Sequence, residues 1–79
     1  MTREEVMERV QDIFRNNFDD ESIVLTDETV ASDIEDWDSL EQINLLVAIQ
    51  KEFDIKFSVG EVEGLQDVGE MIDLVMSKL

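Results

Sequence analysis

Residues 37–53 read WDSLEQINLLVAIQKEF, and this stretch decides the fold. Asp38 and Glu41 have the three-residue spacing of a helix cap, in which the first side chain accepts a hydrogen bond from a free backbone N–H group. Two series of apolar residues then recur at three- and four-residue steps: Leu40, Ile43 and Val47, followed by Leu46, Ile49 and Phe53. Leu45 and Ala48 widen the apolar surface. The pattern predicts a helix that begins at Asp38 and is either buried on more than one side or lines a pocket.

Three further segments carry the same cap spacing and the same helical recurrence of apolar residues. The capping pairs are Thr2 with Glu5, Ser58 with Glu61, and Asp67 with Glu70. They predict a first helix over residues 2–17, a short helix over 59–63 that Gly64 ends, and a last helix over 67–79.

The helical periodicity fails over residues 18–37, a polar stretch with scattered apolar residues that we expect to anchor it to the helices. Unstructured connections of this length are uncommon in compact domains and are often functional. A short helical turn is expected near residues 28–32. The sequence therefore predicts an all-α fold, in which residues 1–79 form one domain: a four-helix bundle of three main helices and one short helix, with a long loop between helices 1 and 2.

The net charge of -15 limits the partners of the protein. Ten acidic residues and no Lys or Arg lie between Asn16 and Gln50, so the middle of the chain projects a negative field. This field repels nucleic acid and anionic membranes, and it favours partners with basic surfaces.

The chain contains neither cysteine nor histidine. Disulfides, thiolate nucleophiles, the usual zinc sites and Ser-His-Asp triads are therefore excluded, and we expect no metal site and no enzymatic activity of its own. No apolar run approaches membrane-spanning length, and the N-terminus lacks a signal-peptide pattern. We expect a cytoplasmic monomer that does not bind membranes.

Ser39 is the candidate functional residue, because it follows a long loop and opens the second helix. There its hydroxyl is exposed beside free backbone N–H groups, and a phosphate esterified to it gains from those donors and from the positive end of the helix dipole. We expect Asp38 to hold the turn and Leu40 to point inward. The tripeptide Asp-Ser-Leu alone is typical of an ordinary helix cap. It indicates a functional site here because it occurs in a short acidic chain, directly after a long loop and at the start of an apolar helix.

The sequence resembles the acyl carrier protein family, whose members bind phosphopantetheine, over nearly its whole length. The resemblance rests on the helix order and on Trp37-Asp38-Ser39-Leu40, Ile43, Leu45-Leu46, Ala48-Ile49, Glu52-Phe53, Ile55 and Phe57. It implies that a phosphopantetheinyl transferase, using magnesium, moves a 4'-phosphopantetheine arm from coenzyme A onto Ser39. Acyl groups are then attached to the thiol of the arm as thioesters. Acyl-loading, condensing or acyltransferase enzymes with basic docking patches receive them, in fatty-acid or specialised lipid or polyketide biosynthesis.

Two further groups of site residues follow from the resemblance. The residues expected to recognise partners are Asp36, Trp37, Glu41 and Asn44. The residues expected to line a pocket for the acyl chain are Ile43, Leu46, Val47 and Ile49; for each of these, a plain core role is an equal alternative.

The second helix departs from the pattern of housekeeping fatty-acid carriers. Those carriers usually have an acidic helix after the serine, whereas here Glu41 and Glu52 are its only acidic residues. Trp37 stands where that pattern favours a small residue, and no proline precedes the short helix. These departures resemble stand-alone carriers of specialised pathways.

Three alternatives remain open at this point. An aminoacyl or D-alanyl carrier shares the fold and the modified serine but differs in cargo. A calcium-binding helical protein requires a loop with a central glycine, which residues 27–38 lack. An acidic adaptor for one basic partner predicts no modification of Ser39.

Overall fold

Four α-helices make up the protein, and the computed structural model describes residues 1–79. They are α1 (Arg3–Phe18), α2 (Ser39–Phe53), α3 (Val59–Glu63) and α4 (Val68–Lys78), with one 3₁₀ turn at Ala31–Asp33. The structure has no strand, so the predicted all-α class and helix order are confirmed. No helix has both the length and the apolar character needed to cross a membrane.

The predicted caps begin all four helices, although only two are complete capping boxes. At α1 and α3 the Thr2 and Ser58 side chains accept from the third helical N–H, and the glutamate there reaches back to the cap. At α2 and α4 the caps Asp38 and Asp67 accept hydrogen bonds, but the matching glutamates bond elsewhere. Each helix start still satisfies one of its free N–H groups.

The hydrophobic core comes from α1, α2, α4 and the long loop, and α3 contributes no buried side chain. The core residues are Val6, Val10, Phe14, Ile23, Leu25, Leu45, Leu46, Ile49, Phe53, Val68, Met71, Ile72 and Val75. Because α3 is short and has no fully buried residue, it is held by the half-buried Val62, which packs against the core, and by a side-chain contact with α4. That contact is the 2.7 Å ion pair between Glu61 and Lys78 of α4.

The long loop is fastened to the beginning of α4 by backbone hydrogen bonds. The carbonyl oxygen of Thr29 accepts from the N–H of Val68 at 2.9 Å, and that of Asp27 accepts from Gly69 at 3.0 Å. A turn closed by the 3.2 Å bond from Thr29 N–H to Thr26 O presents these carbonyls. Since this turn occupies residues 26–29, the helical turn expected near 28–32 forms slightly later, at Ala31–Asp33.

Candidate functional site

Ser39 is the first residue of α2, and its side chain is exposed to solvent. Asp38 accepts a 2.9 Å hydrogen bond from the N–H of Glu41, which fixes the first turn. The backbone N–H groups of Ser39 and Leu40 donate to no group of the chain, and the Ser39 hydroxyl has no partner within it. The turn therefore presents a free hydroxyl beside two free donors at the positive end of a helix of 15 residues.

The other four serines are less suited to modification. Three of them use their hydroxyls in the fold: Ser22 donates to Asp20, Ser58 accepts from Glu61 N–H, and Ser77 donates to the Leu74 carbonyl. Ser32 lies within the 3₁₀ turn rather than at the start of an α-helix. Only Ser39 therefore combines a free hydroxyl with a long helix behind it.

A groove of about 440 Å³ opens beside Ser39, between the start of α2, the 3₁₀ turn, α3 and the start of α4. Its volume falls within the usual range for small-molecule sites, roughly 300–1,000 Å³. The apolar lining consists of Ala31, Trp37, Val62, Leu65 and Met71. The polar lining consists of Asp38, Ser39, Gln42, Glu63, Gln66 and Asp67, and it includes no cation.

Trp37 forms the part of the groove wall that faces the core. Its ring meets Phe14 of α1 edge to face, with centroids 5.0 Å apart at 88°. Its indole Nε1–H donates a 2.7 Å hydrogen bond to Oε1 of Gln42, which also lines the groove. Such edge-to-face pairs are favourable beyond the area that they bury, so the indole is held on two sides.

Leu40 does not point inward as the sequence analysis expected; that expectation is wrong, because its side chain is 66% exposed. The buried side of α2 is set by Leu45, Leu46, Ile49 and Phe53. At 3.6 residues per turn, Leu40 lies about 140° around the helix from Leu45. Ile43 and Val47, also exposed, lie on the same side as Leu40 and complete an apolar stripe, which we term the α2 stripe (Leu40, Ile43, Val47).

The four residues predicted to line an acyl pocket divide between the surface of α2 and the core. Ile43 and Val47 belong to the α2 stripe, whereas Leu46 and Ile49 are buried in the core. None of the four lines the groove beside Ser39. Their pocket role stays a prediction.

The residues predicted to recognise partners fall into two pairs. Asp36 and Asn44 are exposed. Trp37 is half-buried and committed to the groove wall, while the Glu41 carboxylate accepts from Asn17 at 3.3 Å and from Asn44 at 3.0 Å. Asp36 is therefore the one member of the four that is exposed and makes no side-chain hydrogen bond within the chain, whereas the exposed Asn44 is held to Glu41.

Sequence reasoning missed most of the groove. Val62, Leu65 and Met71, which line the groove, were not among the predicted site residues. The available signal was that Val62 and Leu65 lie three positions apart at the end of a segment too short for its own core. Such side chains have to pack against a neighbouring element.

Comparisons with known proteins agree with this geometry. A family model described as a phosphopantetheine attachment site matches residues 4–75. A solution structure of the holo acyl carrier protein from Geobacter metallireducens is 48% identical, with a TM-score of 0.87 over 92% of this chain and 84% of that one. An acyl carrier protein from Petrotoga mobilis is 32% identical over 100% of this chain and 93% of its own length. The mitochondrial acyl carrier protein of Saccharomyces cerevisiae is 33% identical over 98% of this chain, which spans 65% of that protein.

These matches decide between a carrier and the two alternatives that are not carriers. The family consists of carriers rather than enzymes, and its cofactor is a covalent 4'-phosphopantetheine. Its members are modified by a phosphopantetheinyl transferase and act with biosynthetic enzymes. The calcium-binding and adaptor alternatives are thereby set aside. With a match over most of its length, and with a helix start suited to a phosphate ester, the chain belongs to the phosphopantetheine-binding acyl carrier protein family.

Proposed function

We propose that Ser39 carries the phosphopantetheine arm and that the chain presents acyl groups on this arm to successive enzymes. The observation that carries the proposal is the free Ser39 hydroxyl at the first position of α2, beside the free N–H groups of Ser39 and Leu40. A phosphodiester at this position is stabilised by these donors and by the helix dipole. Asp38 contributes by holding the turn in place.

The modification makes one bond to this chain. The Ser39 oxygen attacks the pyrophosphate of coenzyme A, an Oγ–phosphorus bond forms, and the adenosine bisphosphate leaves. The hydroxyl proton passes to a base of the transferase. The bound arm then supplies the thiol that a chain without cysteine lacks.

We infer that the groove beside Ser39 receives the inner part of the arm or a short cargo. Trp37, Val62, Leu65 and Met71 give it an apolar lining next to the point of attachment. The lining also includes three carboxylates, Asp38, Glu63 and Asp67, and no cation, which leaves the negatively charged phosphate at the outer rim.

Partner enzymes are proposed to dock on the α2 stripe. Leu40, Ile43 and Val47 are exposed on the same helix that Ser39 opens, so a partner bound there has the arm within reach. Asp36 and Asn44 are exposed nearby in the sequence. Apolar contacts would supply affinity, while the negative field of residues 16–50 would speed association with the basic patches of acyl-loading, condensing or acyltransferase enzymes.

The pathway is proposed to be a specialised one rather than bulk fatty-acid synthesis. The support is that α2 carries only Glu41 and Glu52 as acidic residues and that Trp37, not a small residue, precedes Asp38.

The experiment that tests the proposal is incubation of the full chain with coenzyme A and a broad-specificity phosphopantetheinyl transferase, followed by intact-mass spectrometry. The wild-type protein should gain one arm, and Ser39→Ala should gain none. Equal labelling of the Ser39→Ala protein would move the attachment elsewhere.

A further inference from the structure

We propose that Trp37 determines which cargo the carrier can shelter, by closing the groove on the side of Phe14 and α1 and so limiting a sheltered acyl chain to a short one. This inference rests on the proposed function, because the cargo reaches the groove only through an arm on Ser39. It concerns a side chain that neither carries the arm nor faces the α2 stripe.

The first observation is the position of the indole between two spaces. One side of Trp37 lines the groove together with Ser39 and Gln42. On the other side its ring contacts Phe14, which is fully buried among the core residues. An acyl chain that enters at Ser39 and grows toward Phe14 of α1 therefore meets the indole first, whereas toward α4 the groove already ends on Met71, a buried core residue.

The second observation is that the indole is held in place. The 2.7 Å hydrogen bond from Nε1–H to Gln42 and the edge-to-face contact with Phe14 both have to break before the ring can move. Gln42 is half-buried, and its side-chain oxygen would lose its hydrogen-bond donor within the protein if the ring moved. Trp37 thus acts as a wall and not as a freely swinging side chain.

The third observation concerns dimensions. The shortest principal dimension of the protein is 22 Å, and an extended hexadecanoyl chain is nearly as long as that. If it extends from Ser39 toward Phe14, such a chain has to pass through the space that the indole fills. A butyryl group meets no such limit.

The test compares how well cargoes of different length are protected. Butyryl, octanoyl and hexadecanoyl groups are loaded from their coenzyme A thioesters, and thioester cleavage by hydroxylamine is followed by intact mass. In the wild-type protein we expect butyryl to be cleaved about tenfold more slowly than a free thioester, which corresponds to about 1.4 kcal/mol for the sheltered state. Hexadecanoyl should be cleaved at the unprotected rate.

Variants separate a wall from a merely structural residue. Trp37→Ala should extend protection to octanoyl and hexadecanoyl, and Trp37→Leu, a smaller truncation that retains more packing, should extend it to octanoyl. Trp37→Phe keeps an aromatic ring against Phe14 and should keep the wild-type length profile. Val75→Ala truncates a fully buried residue that does not line the groove, so it loosens the core without opening the wall.

The outcomes are distinguishable from failure of the carrier proposal. An unchanged length profile in Trp37→Ala and Trp37→Leu, or an equal extension in Val75→Ala, would overturn the role of Trp37. A wild-type protein that protects no cargo would also overturn the role of Trp37. In that case, a loaded Ser39 would still support the carrier proposal. If Ser39 takes up no arm, both proposals fall.

The fluorescence of Trp37, the single tryptophan of the chain, gives an independent check in the unmutated protein. Loading butyryl onto the holo-protein should shift its emission, because the cargo replaces water at the indole. Identical emission spectra for the holo- and butyryl-proteins would contradict the inference.

Discussion

The backbone N–H of Gly69 donates a 3.0 Å hydrogen bond to the carbonyl oxygen of Asp27, and a Cβ atom on Gly69 would lie only 2.8 Å from that oxygen. This contact brings the middle of the long loop against the first turn of α4. The same loop continues through the 3₁₀ turn to Trp37 and Ser39. The close approach at Gly69 therefore helps to set where the loop delivers the functional helix start.

Gly69→Ala should lower the free energy of unfolding by about 1–3 kcal/mol, the usual range for forcing extra atoms into a packed region. The atom in the way is backbone, so the loop itself has to move. Urea denaturation followed by circular dichroism measures the change. Gly60→Ala is the matched control, because a Cβ there meets nothing within 4 Å, and it should leave stability unchanged or raise it by up to about 1 kcal/mol. Equal effects of the two changes would contradict the close-approach argument.

Asp38→Ala should reduce stability by about 0.5–2 kcal/mol through loss of the α2 cap, and it should also slow transfer of the arm to Ser39. The second effect follows because the lost 2.9 Å bond to Glu41 N–H holds the turn that presents the hydroxyl. Asp67→Ala removes the matching cap of α4 and should reduce stability without an equal effect on transfer. Equal transfer rates in the two variants would show that Asp38 does not position the site.

The sequence predicted the helices well and the groove poorly, for a physical reason. Capping pairs and apolar recurrence are local, so the start of α2 at Asp38 followed from the residues alone. The direction of Leu40 required knowledge of which side of α2 faces α1 and α4, and an apolar residue at a helix start can lie on either side. The groove brings together Trp37, Val62 and Met71, which are far apart in the sequence. No local sequence pattern predicts that they lie close together.

Replacing Glu61 by Gln should flatten the pH dependence of stability on the acid side. The hydrogen bond from Lys78 and then the backbone N–H of Ser58 lower the pKa of Glu61 from 4.5 to about 2. A lowered pKa contributes stability that is present above pH 4.5 and is lost as the pH falls through the interval from 4.5 to about 2. Urea unfolding of the wild-type and Glu61→Gln proteins across that interval measures the contribution as a difference.

The control for this pH effect is Glu63→Gln on the same short helix. Glu63 is exposed, and it makes no ion pair or side-chain hydrogen bond with the chain. Relief of repulsion among the many carboxylates at low pH affects both variants in a similar way. Suppose that all three proteins lose the same free energy of unfolding as the pH falls from 4.5 to about 2. That result would show that the ion pair between Glu61 and Lys78 does not stabilise α3.

Ile43→Asp should weaken binding of the holo-protein to an acyl-loading enzyme at least tenfold, because it places a carboxylate in the centre of the α2 stripe. Ile43 is 59% exposed, so the fold should tolerate the change. Val24→Asp adds the same charge at an exposed position of the long loop, outside the stripe, and should bind as the wild type does. Surface plasmon resonance gives both affinities, and equal weakening by the two variants would argue against docking on α2. Added salt should slow association of every variant.

The most direct measurement is fragmentation mass spectrometry of the wild-type protein after transfer of the arm from coenzyme A, since it locates the modified residue among the five serines without any mutation. The account predicts that every arm-bearing fragment contains Ser39 and that the other serines remain unmodified. An arm found on Ser22, Ser32, Ser58 or Ser77 would contradict it, because the free hydroxyl at the start of α2 would then not be the group that the transferase selects.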